Sequence, residues 1–275
     1  MRTHHLTPAW IRRNQQQRLK ELRQISADAW PCNTLGNHDC SRIWTAFGDG
    51  VHNAEQARLG LVLMLTLQGT PFLYNGEEIG MTDLHLTDIN EFRDLLGIWY
   101  YQAQVREMGL PPEEALHRAA RLTRDKNRTP MQWNHDVNGG FCPSDIQPWL
   151  PVNPNYSNGV NVDDQEADPG SHLNFYRNLL RIRKNTPALI GGRYIPYHPR
   201  NRKVLAFLRQ MPGQTCLVGL NFTEEVAGLV LPKGSGQIDI LYSSHILGGE
   251  VRAGKRILLA PFGMVIFLLE KGDIG

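Results

Sequence analysis

The feature that most constrains the fold is a repeated order of strand, polar strand end and helix within the first 81 residues. A short strand-like run at 32–35 leads to the triplet Asn37-His38-Asp39, and an apolar helical pattern follows at 53–68. A second apolar run at 70–74 ends on Asn75-Gly76-Glu77-Glu78. A polar turn is the alternative for the triplet alone, since Gly, Asn and Asp favour turns. Two polar strand ends on either side of a helix instead indicate a parallel β/α repeat with a site at its strand ends.

Further helices and a change of pattern near residue 190 define the predicted domains. Helical spacing and start signals predict one helix that begins at Pro8, after the N-cap residue Thr7. They predict three more helices at 92–108, 112–122 and 171–185. Residues 124–160 contain a long loop rich in Pro, Gly and Asn. After Gly191-Gly192, six short β-type runs alternate with turns, at 204–208, 215–220, 226–231, 238–242, 256–259 and 264–269. We therefore predict an α/β segment at 1–190, with its long loop at 124–160, and an antiparallel β-sandwich domain at 191–275.

Charge and hydropathy exclude several classes of partner. The 29 Lys and Arg residues nearly balance the 27 Asp and Glu residues, and no block of like charge occurs. No global field therefore favours nucleic acid or an anionic membrane surface. The longest apolar run, 59–67, is too short to span a bilayer, and the N-terminus has no apolar signal core. The chain is expected to be soluble and cytoplasmic, with no nucleic-acid or membrane partner.

The cysteine positions indicate neither a metal site nor a disulfide framework. Cys32, Cys40, Cys142 and Cys216 show no CxxC pair and no metal-ligand spacing. Reduced thiols are the favoured interpretation, and a Cys32–Cys40 disulfide is the alternative. We predict no metal and no cofactor.

Three sequence blocks together identify a family. They are Leu35-Gly36-Asn37-His38-Asp39, the stretch from Gly69 to Met81, and the stretch from Arg124 to Trp133, which contains Arg-Thr-Pro-Met-Gln-Trp. With the Pro-Val-Asn-Pro-Asn-Tyr string at 151–156, they closely resemble the C-terminal half of the α-amylase superfamily, glycoside hydrolase family 13. The α-glucosidase and oligo-1,6-glucosidase branch is the most similar. The resemblance implies the C-terminal portion of a (β/α)8 TIM barrel, strands seven and eight with their helices, followed by the β-sandwich.

The resemblance also implies roles for individual residues. His38 and Asp39 match the pair that grips hydroxyls of the sugar being cleaved, and Asp39 matches the carboxylate that stabilises the oxocarbenium-like transition state. Asn37, Arg128 and Arg124 would contact substrate. A structural pairing of these arginines with Asp125 or Asp83 is the alternative.

Other site residues follow with less support from the family motifs. Arg42, three residues after the triplet, is also assigned to the substrate-binding group. Glu77 and Glu78 are better explained as structural carboxylates after strand eight. Tyr74 and Trp133 could stack on sugar rings, or could equally be core aromatics.

Two catalytic carboxylates are expected to lie outside this chain. The family retains anomeric configuration with an Asp nucleophile and a Glu acid/base, carried in Arg-x-Asp and Gly-Glu motifs after strands four and five. We find no segment resembling either motif. We therefore expect a C-terminal fragment of an α-glucosidase-type hydrolase acting on α-linked gluco-oligosaccharides. It would be inactive alone, and a missing N-terminal segment or subunit would be its partner.

Two alternatives remain open. One is a fragment of a transglycosylating relative, such as a trehalose or isomaltulose synthase. The other is a non-catalytic carbohydrate-binding or assembly module.

Overall fold

Helices and strands are defined for residues 6–270 in a computed structural model of the chain. The helices are α1 (Pro8–Ile25), α2 (Ile43–Phe47), α3 (Asn53–Thr66), α4 (Leu95–Arg106), α5 (Pro112–Leu122), α6 (Val162–Ala167), α7 (His172–Lys184) and α8 (Pro187–Gly191). The strands are β1 (Cys32–Asn33), β2 (Thr70–Pro71), β3 (Arg193–Tyr197), β4 (Val204–Met211), β5 (Gln214–Asn221), β6 (Ala227–Val230), β7 (Ile238–Ser243), β8 (Ile246–Gly248), β9 (Arg256–Leu259) and β10 (Met264–Leu269). Short 3₁₀ helices lie at Glu77–Ile79, Ile89–Glu91, Asp125–Asn127, Val137–Gly140 and Pro154–Asn158.

The local start signals in the sequence predicted helix boundaries well. Helix α1 begins at Pro8, and the Thr7 hydroxyl accepts a hydrogen bond from the Trp10 amide at 3.3 Å, as its N-cap role requires. Helix α5 has the predicted bounds, with Pro112 in its first turn and Glu113 and Glu114 beside its positive end. Helix α4 begins later than expected because Asp94 caps it, accepting from the Leu96 amide at 3.3 Å.

The two predicted barrel strands pair in parallel but are short. Cys32 pairs with Thr70 and Asn33 pairs with Pro71, and β1 and β2 form a two-stranded sheet. Pro71 has no amide hydrogen to donate, so the pairing cannot extend regularly through it. One further hydrogen bond, from the Phe72 amide to the Asn33 carbonyl at 2.8 Å, ends the ladder.

The described residues form two compact units. The first contains Leu35–Ala57 and Leu73–Tyr176, and the second contains 6–34, Arg58–Phe72 and 177–270. Both units combine segments that are separated along the chain. The linear boundary near residue 190 describes the order of motifs in the sequence and stays a prediction.

The first unit has two apolar clusters. One contains Ile79, Met81, Met131 and Leu173. The other packs α4 against α5 around Phe92, Leu86, Ala119 and Ala120. These clusters fix the segments that carry the polar residues described below.

The second unit contains two antiparallel sheets with a shared apolar core. The strand orders are β3-β4-β5-β10-β7 and β6-β9-β8. Buried side chains from both sheets belong to one cluster, which includes Leu217 and Phe267 from the larger sheet and Leu229 and Ile257 from the smaller. The predicted combination of α-helices and antiparallel β-structure is therefore confirmed, and strands β3 and β8 add to the six expected runs.

Two smaller expectations also have outcomes. All four cysteines are free, so the alternative Cys32–Cys40 disulfide is not formed. Among residues 6–270, no helix combines the length and apolar character needed to cross a bilayer.

Candidate active site

The polar triplet after β1 is a tight turn whose side chains do different work. The Asn37 side-chain oxygen accepts from the Asp39 amide at 2.8 Å, and the Cys40 amide donates to the Asn37 carbonyl at 3.2 Å. Asn127 also donates to that carbonyl at 3.0 Å. His38 and Asp39 project outward, with side chains 67% and 49% exposed. The local turn and the exposed functional groups are thus both present in one loop.

Asp39 is the centre of a cationic group. The Nη2 atom of Arg128 lies 2.6 Å from Oδ1 of Asp39, and the Nη1 atom of Arg124 lies 3.3 Å from the same oxygen. His38 Nε2 lies 3.5 Å from the other oxygen, and Arg128 Nε donates to the His38 carbonyl at 2.8 Å. The structure therefore brings His38, Asp39, Arg124 and Arg128 together across almost 90 residues of chain.

These neighbours keep the Asp39 carboxylate ionised. Partial desolvation opposes ionisation, but the hydrogen bond from Arg128 and the charges of His38, Arg124 and Arg128 outweigh it, so the pKa of Asp39 is lowered. An ionised, half-exposed carboxylate can accept hydrogen bonds from hydroxyl groups of a bound molecule. Its negative charge can also stabilise a positive charge that develops on a bound molecule.

Asp94 holds Arg124 in place, a role that the sequence did not reveal. Arg124 donates through NH2 to Asp94 Oδ1 at 2.6 Å and through Nε to Oδ2 at 3.0 Å. The Arg124 amide adds a third bond at 2.9 Å. The hydrogen bond from the Arg124 side chain is the main reason that the pKa of Asp94 falls to about 2. The alternative partners considered for Arg124, Asp125 and Asp83, are therefore not the carboxylates that bind its guanidinium.

Asp125 instead stabilises the segments that carry Asp94 and Arg124. Its Oδ2 accepts from the Arg93 and Asp94 amides, each at 2.8 Å, and from the Thr123 hydroxyl at 3.0 Å. An Asp followed within three residues by apolar helix is a recognisable N-cap signal, so Asp94 could have been found as a cap. Its second role with Arg124 depends on residues 30 positions away and has no local signal.

Arg42 does not belong to the exposed group around Asp39. Its side chain is fully buried, NH1 donates to the Asn75 carbonyl at 2.6 Å, and the guanidinium lies 5.1 Å from the centre of the Tyr74 ring. Its amide donates to Asp83 at 2.8 Å. A guanidinium enclosed in this way offers no donor to a molecule at the surface. The direct substrate contact assigned to Arg42 is not available in this structure, because the side chain turns inward.

Glu77 is a buried carboxyl beneath the triplet loop. Its Oε2 accepts from the Tyr74 amide at 3.0 Å, and a methyl group at Gly36 would lie 2.2 Å from its Oε1. Burial raises the pKa of Glu77 to about 7, although the Tyr74 amide and the charge of Arg42 act in the opposite direction. The absence of a side chain at Gly36 is what allows this close approach.

The raised pKa of Glu77 predicts a pH-dependent stability. The carboxyl of Glu77 in the unfolded chain loses its proton near its ordinary pKa of 4.5, whereas in the folded chain it keeps the proton until about pH 7. The folded state therefore binds more protons between these values, and the free energy of unfolding should fall as pH rises through this window. We expect a Glu77→Gln variant to lack this fall and to exceed the wild type by at most about 3 kcal/mol above pH 7.

Urea denaturation of both proteins at pH 4.5 and pH 7.5 measures the difference. Glu113→Gln, at an exposed position in α5, is the control; it retains Glu77 and should therefore show the same fall in stability between the two pH values as the wild type. A Glu77→Gln variant with the same pH dependence as the wild type would contradict the assignment.

The two aromatic candidates are placed differently. Tyr74 is engaged by Arg42 on its ring, and its hydroxyl donates to the Asn127 carbonyl at 3.2 Å. Trp133 is 47% exposed, and its amide donates to the Gly139 carbonyl at 2.7 Å. Tyr74 thus has a structural role, and Trp133 keeps an accessible ring.

Comparison with known proteins gives a consistent family. The family model described as "Alpha amylase, catalytic domain" matches residues 2–192. A probable oligo-1,6-glucosidase 2 of Bacillus subtilis (strain 168) is 32% identical over 255 residues, which are 92% of this chain and 44% of that protein. An alpha-glucosidase of Pediococcus pentosaceus is 39% identical over 173 residues, 62% of this chain and 30% of that protein. The chain thus spans less than half the length of these relatives.

Solved structures agree with the sequence matches. The trehalulose synthase MutB of Pseudomonas mesoacidophila MX-45 superposes with a TM-score of 0.80 at 34% identity, covering 96% of this chain and 47% of that one. A mutant isomaltulose synthase of Erwinia rhapontici NX5 in complex with D-glucose has a TM-score of 0.80 at 31% identity, covering 98% of this chain and 47% of that one. The resemblance drawn from the three sequence blocks is confirmed by both kinds of match. The chain belongs to the α-amylase family.

Proposed function

We propose that this chain supplies the C-terminal part of an α-glucosidase-type glycoside hydrolase that acts on α-linked gluco-oligosaccharides. Its β1 and β2 would be strands seven and eight of a (β/α)8 barrel, and its antiparallel sheets would form the β-sandwich that follows. The observation that carries the proposal is the exposed Asp39 carboxylate held between Arg128 and Arg124. The matching motifs and the named relatives support it.

Asp39 would act on the sugar ring at the transition state. Its ionised oxygens would accept hydrogen bonds from ring hydroxyls, and these bonds strengthen as the ring approaches an oxocarbenium ion. Its negative charge would also oppose the positive charge that develops on the ring. Arg128 and Arg124 orient the carboxylate and keep it ionised, while His38 offers a further hydrogen-bonding group beside it.

Cleavage with retention also needs a nucleophile and an acid/base about 5 Å apart. We infer that both come from a polypeptide segment outside these 275 residues, since the chain contains no Arg-x-Asp string. Its two Gly-Glu pairs carry Glu77, which is buried, and Glu250, which lies in the other compact unit from Asp39. The chain would then be a sugar-orienting half of a site and would not hydrolyse glycosides alone.

A reconstituted enzyme tests this proposal. The part of the Bacillus subtilis relative that precedes the matched region is fused in frame to this chain. We expect the fusion to hydrolyse p-nitrophenyl α-glucoside and the isolated chain to show no hydrolysis. Hydrolysis by the isolated chain, or a folded fusion without activity, would contradict the proposal.

A transglycosylase is the second candidate, because trehalulose and isomaltulose synthases are among the structural matches. A further match, a mutant isomaltulose synthase of Erwinia rhapontici NX5, is solved in complex with its natural substrate sucrose. Incubating the fusion with sucrose separates the two activities: free glucose and fructose indicate hydrolysis, and an isomer of sucrose indicates transfer. A non-catalytic module would be indicated if sugar binds to the chain but every fusion stays inactive.

A further inference from the structure

Trp149 is an exposed aromatic residue that is nevertheless fixed in position. Trp149 is 54% exposed, and its indole N–H donates a hydrogen bond to the Arg128 carbonyl at 3.1 Å. The Phe141 ring lies 5.0 Å from the Trp149 ring at an angle of 87°, an edge-to-face contact. A single exposed tryptophan needs no functional explanation, but one held at its polar end and at its ring is restrained before any ligand arrives.

The segment that carries Trp149 is also restrained. Asn138, at a positive φ of 61°, donates from its side chain to the Ile146 carbonyl at 2.9 Å and to the Pro143 carbonyl at 3.2 Å. Leu150, the next residue after Trp149, is only 2% exposed and anchors the end of the segment. A binding surface that is already ordered loses less conformational entropy when it binds.

Arg128 links this surface directly to the candidate active site. Its carbonyl accepts from Trp149, while its side chain binds Asp39 at 2.6 Å. A single residue, Arg128, therefore contacts both Trp149 and the Asp39 carboxylate that would bind the reacting sugar. No local pattern in the sequence predicts this contact, since Trp149 and Arg128 are 21 positions apart.

We propose that Trp149 forms an outer sugar-binding subsite, which stacks against a second glucosyl unit of an α-linked oligosaccharide. The apolar face of a pyranose ring can stack on the flat apolar surface of an indole. Stacking here would leave no N–H group without a partner, because the indole N–H of Trp149 already donates to the Arg128 carbonyl. This inference rests on the proposed function, because it needs a first sugar unit at Asp39. It adds that the site prefers oligosaccharides to glucose.

Ligand titrations of the 275-residue chain, followed by NMR of the sugars, test the subsite. Glucose, maltotriose and isomaltotriose are compared, so that the two linkages form separate arms. We expect at least one trisaccharide to bind about tenfold more tightly than glucose, and Trp149→Ala to remove that advantage. Trp149→Phe should keep most of it, and Trp10→Ala, which alters an equally exposed tryptophan of the other compact unit, should leave it unchanged.

A second variant guards against loss of folding. Trp149→Leu keeps apolar volume without an aromatic face, and it should lose the advantage as Trp149→Ala does. Equal affinities of the wild type for glucose and both trisaccharides, or an unchanged advantage in Trp149→Leu, would overturn the subsite alone. Absence of any sugar binding by the isolated chain would also overturn the subsite, whereas a folded fusion without hydrolytic activity would overturn the proposed function itself.

Discussion

An Asp39→Asn variant of the fusion enzyme is expected to lose about a thousandfold in kcat/KM on p-nitrophenyl α-glucoside. The amide of asparagine keeps the size of the side chain but removes the negative charge of Asp39, which Arg128 and Arg124 stabilise. Such a factor corresponds to about 4 kcal/mol of transition-state stabilisation. Because the carboxylate is proposed to act mainly at the transition state, most of the loss should appear in kcat.

The control for this measurement is Asp88→Asn. Asp88 is exposed and caps the 3₁₀ helix Ile89–Glu91 by accepting from the Asn90 amide at 2.9 Å, a bond that asparagine can also accept. Its kcat/KM should stay within about twofold of the parent fusion. A loss for Asp39→Asn confined to KM would point to ground-state binding and against the proposed role.

The second large effect is expected from Arg42→Met, which should destabilise the chain by about 3–5 kcal/mol. The guanidinium is fully buried, donates to the Asn75 carbonyl and lies close enough to Glu77 to affect its pKa. Methionine would approximate the apolar volume but leave these polar groups without their cation. Urea denaturation at pH 7.5 measures the change.

Arg106→Met provides the matched control. Arg106 is exposed in the last turn of α4, so its replacement should change the free energy of unfolding by no more than about 0.5 kcal/mol. If Arg42→Met retains full stability but weakens sugar binding, the inward placement of Arg42 is not its working state. Its assignment as a substrate contact would then be restored.

Much of the secondary structure followed from local signals. Thr7-Pro8 and Pro112 with its acidic neighbours predicted helix starts that the structure contains, because caps and first-turn charges act within a few residues. Strands β9 and β10 also have the predicted bounds. The parallel strands were overestimated in length, since an apolar run does not reveal where a partner strand ends.

The candidate site divided along the same line. The sequence motif drew attention to Asp39, whose assignment as a site residue stays a prediction, and the structure brings Arg124 and Arg128 to it across 85 and 89 positions. The same reasoning placed Arg42 with them, but that side chain is buried. The sequence identifies candidate site residues, but it does not show on which side of the backbone each side chain lies.

The family, the helix starts and the antiparallel character of the C-terminal strands followed from the amino-acid sequence alone. These properties depend on short motifs and on periodicities of a few residues. Only the tertiary structure decided that Asp94 holds Arg124, that Arg42 turns inward against Tyr74, and that Trp149 is tied to Arg128. Each of these joins segments 21 to 32 positions apart, and such contacts are set by how the whole unit packs.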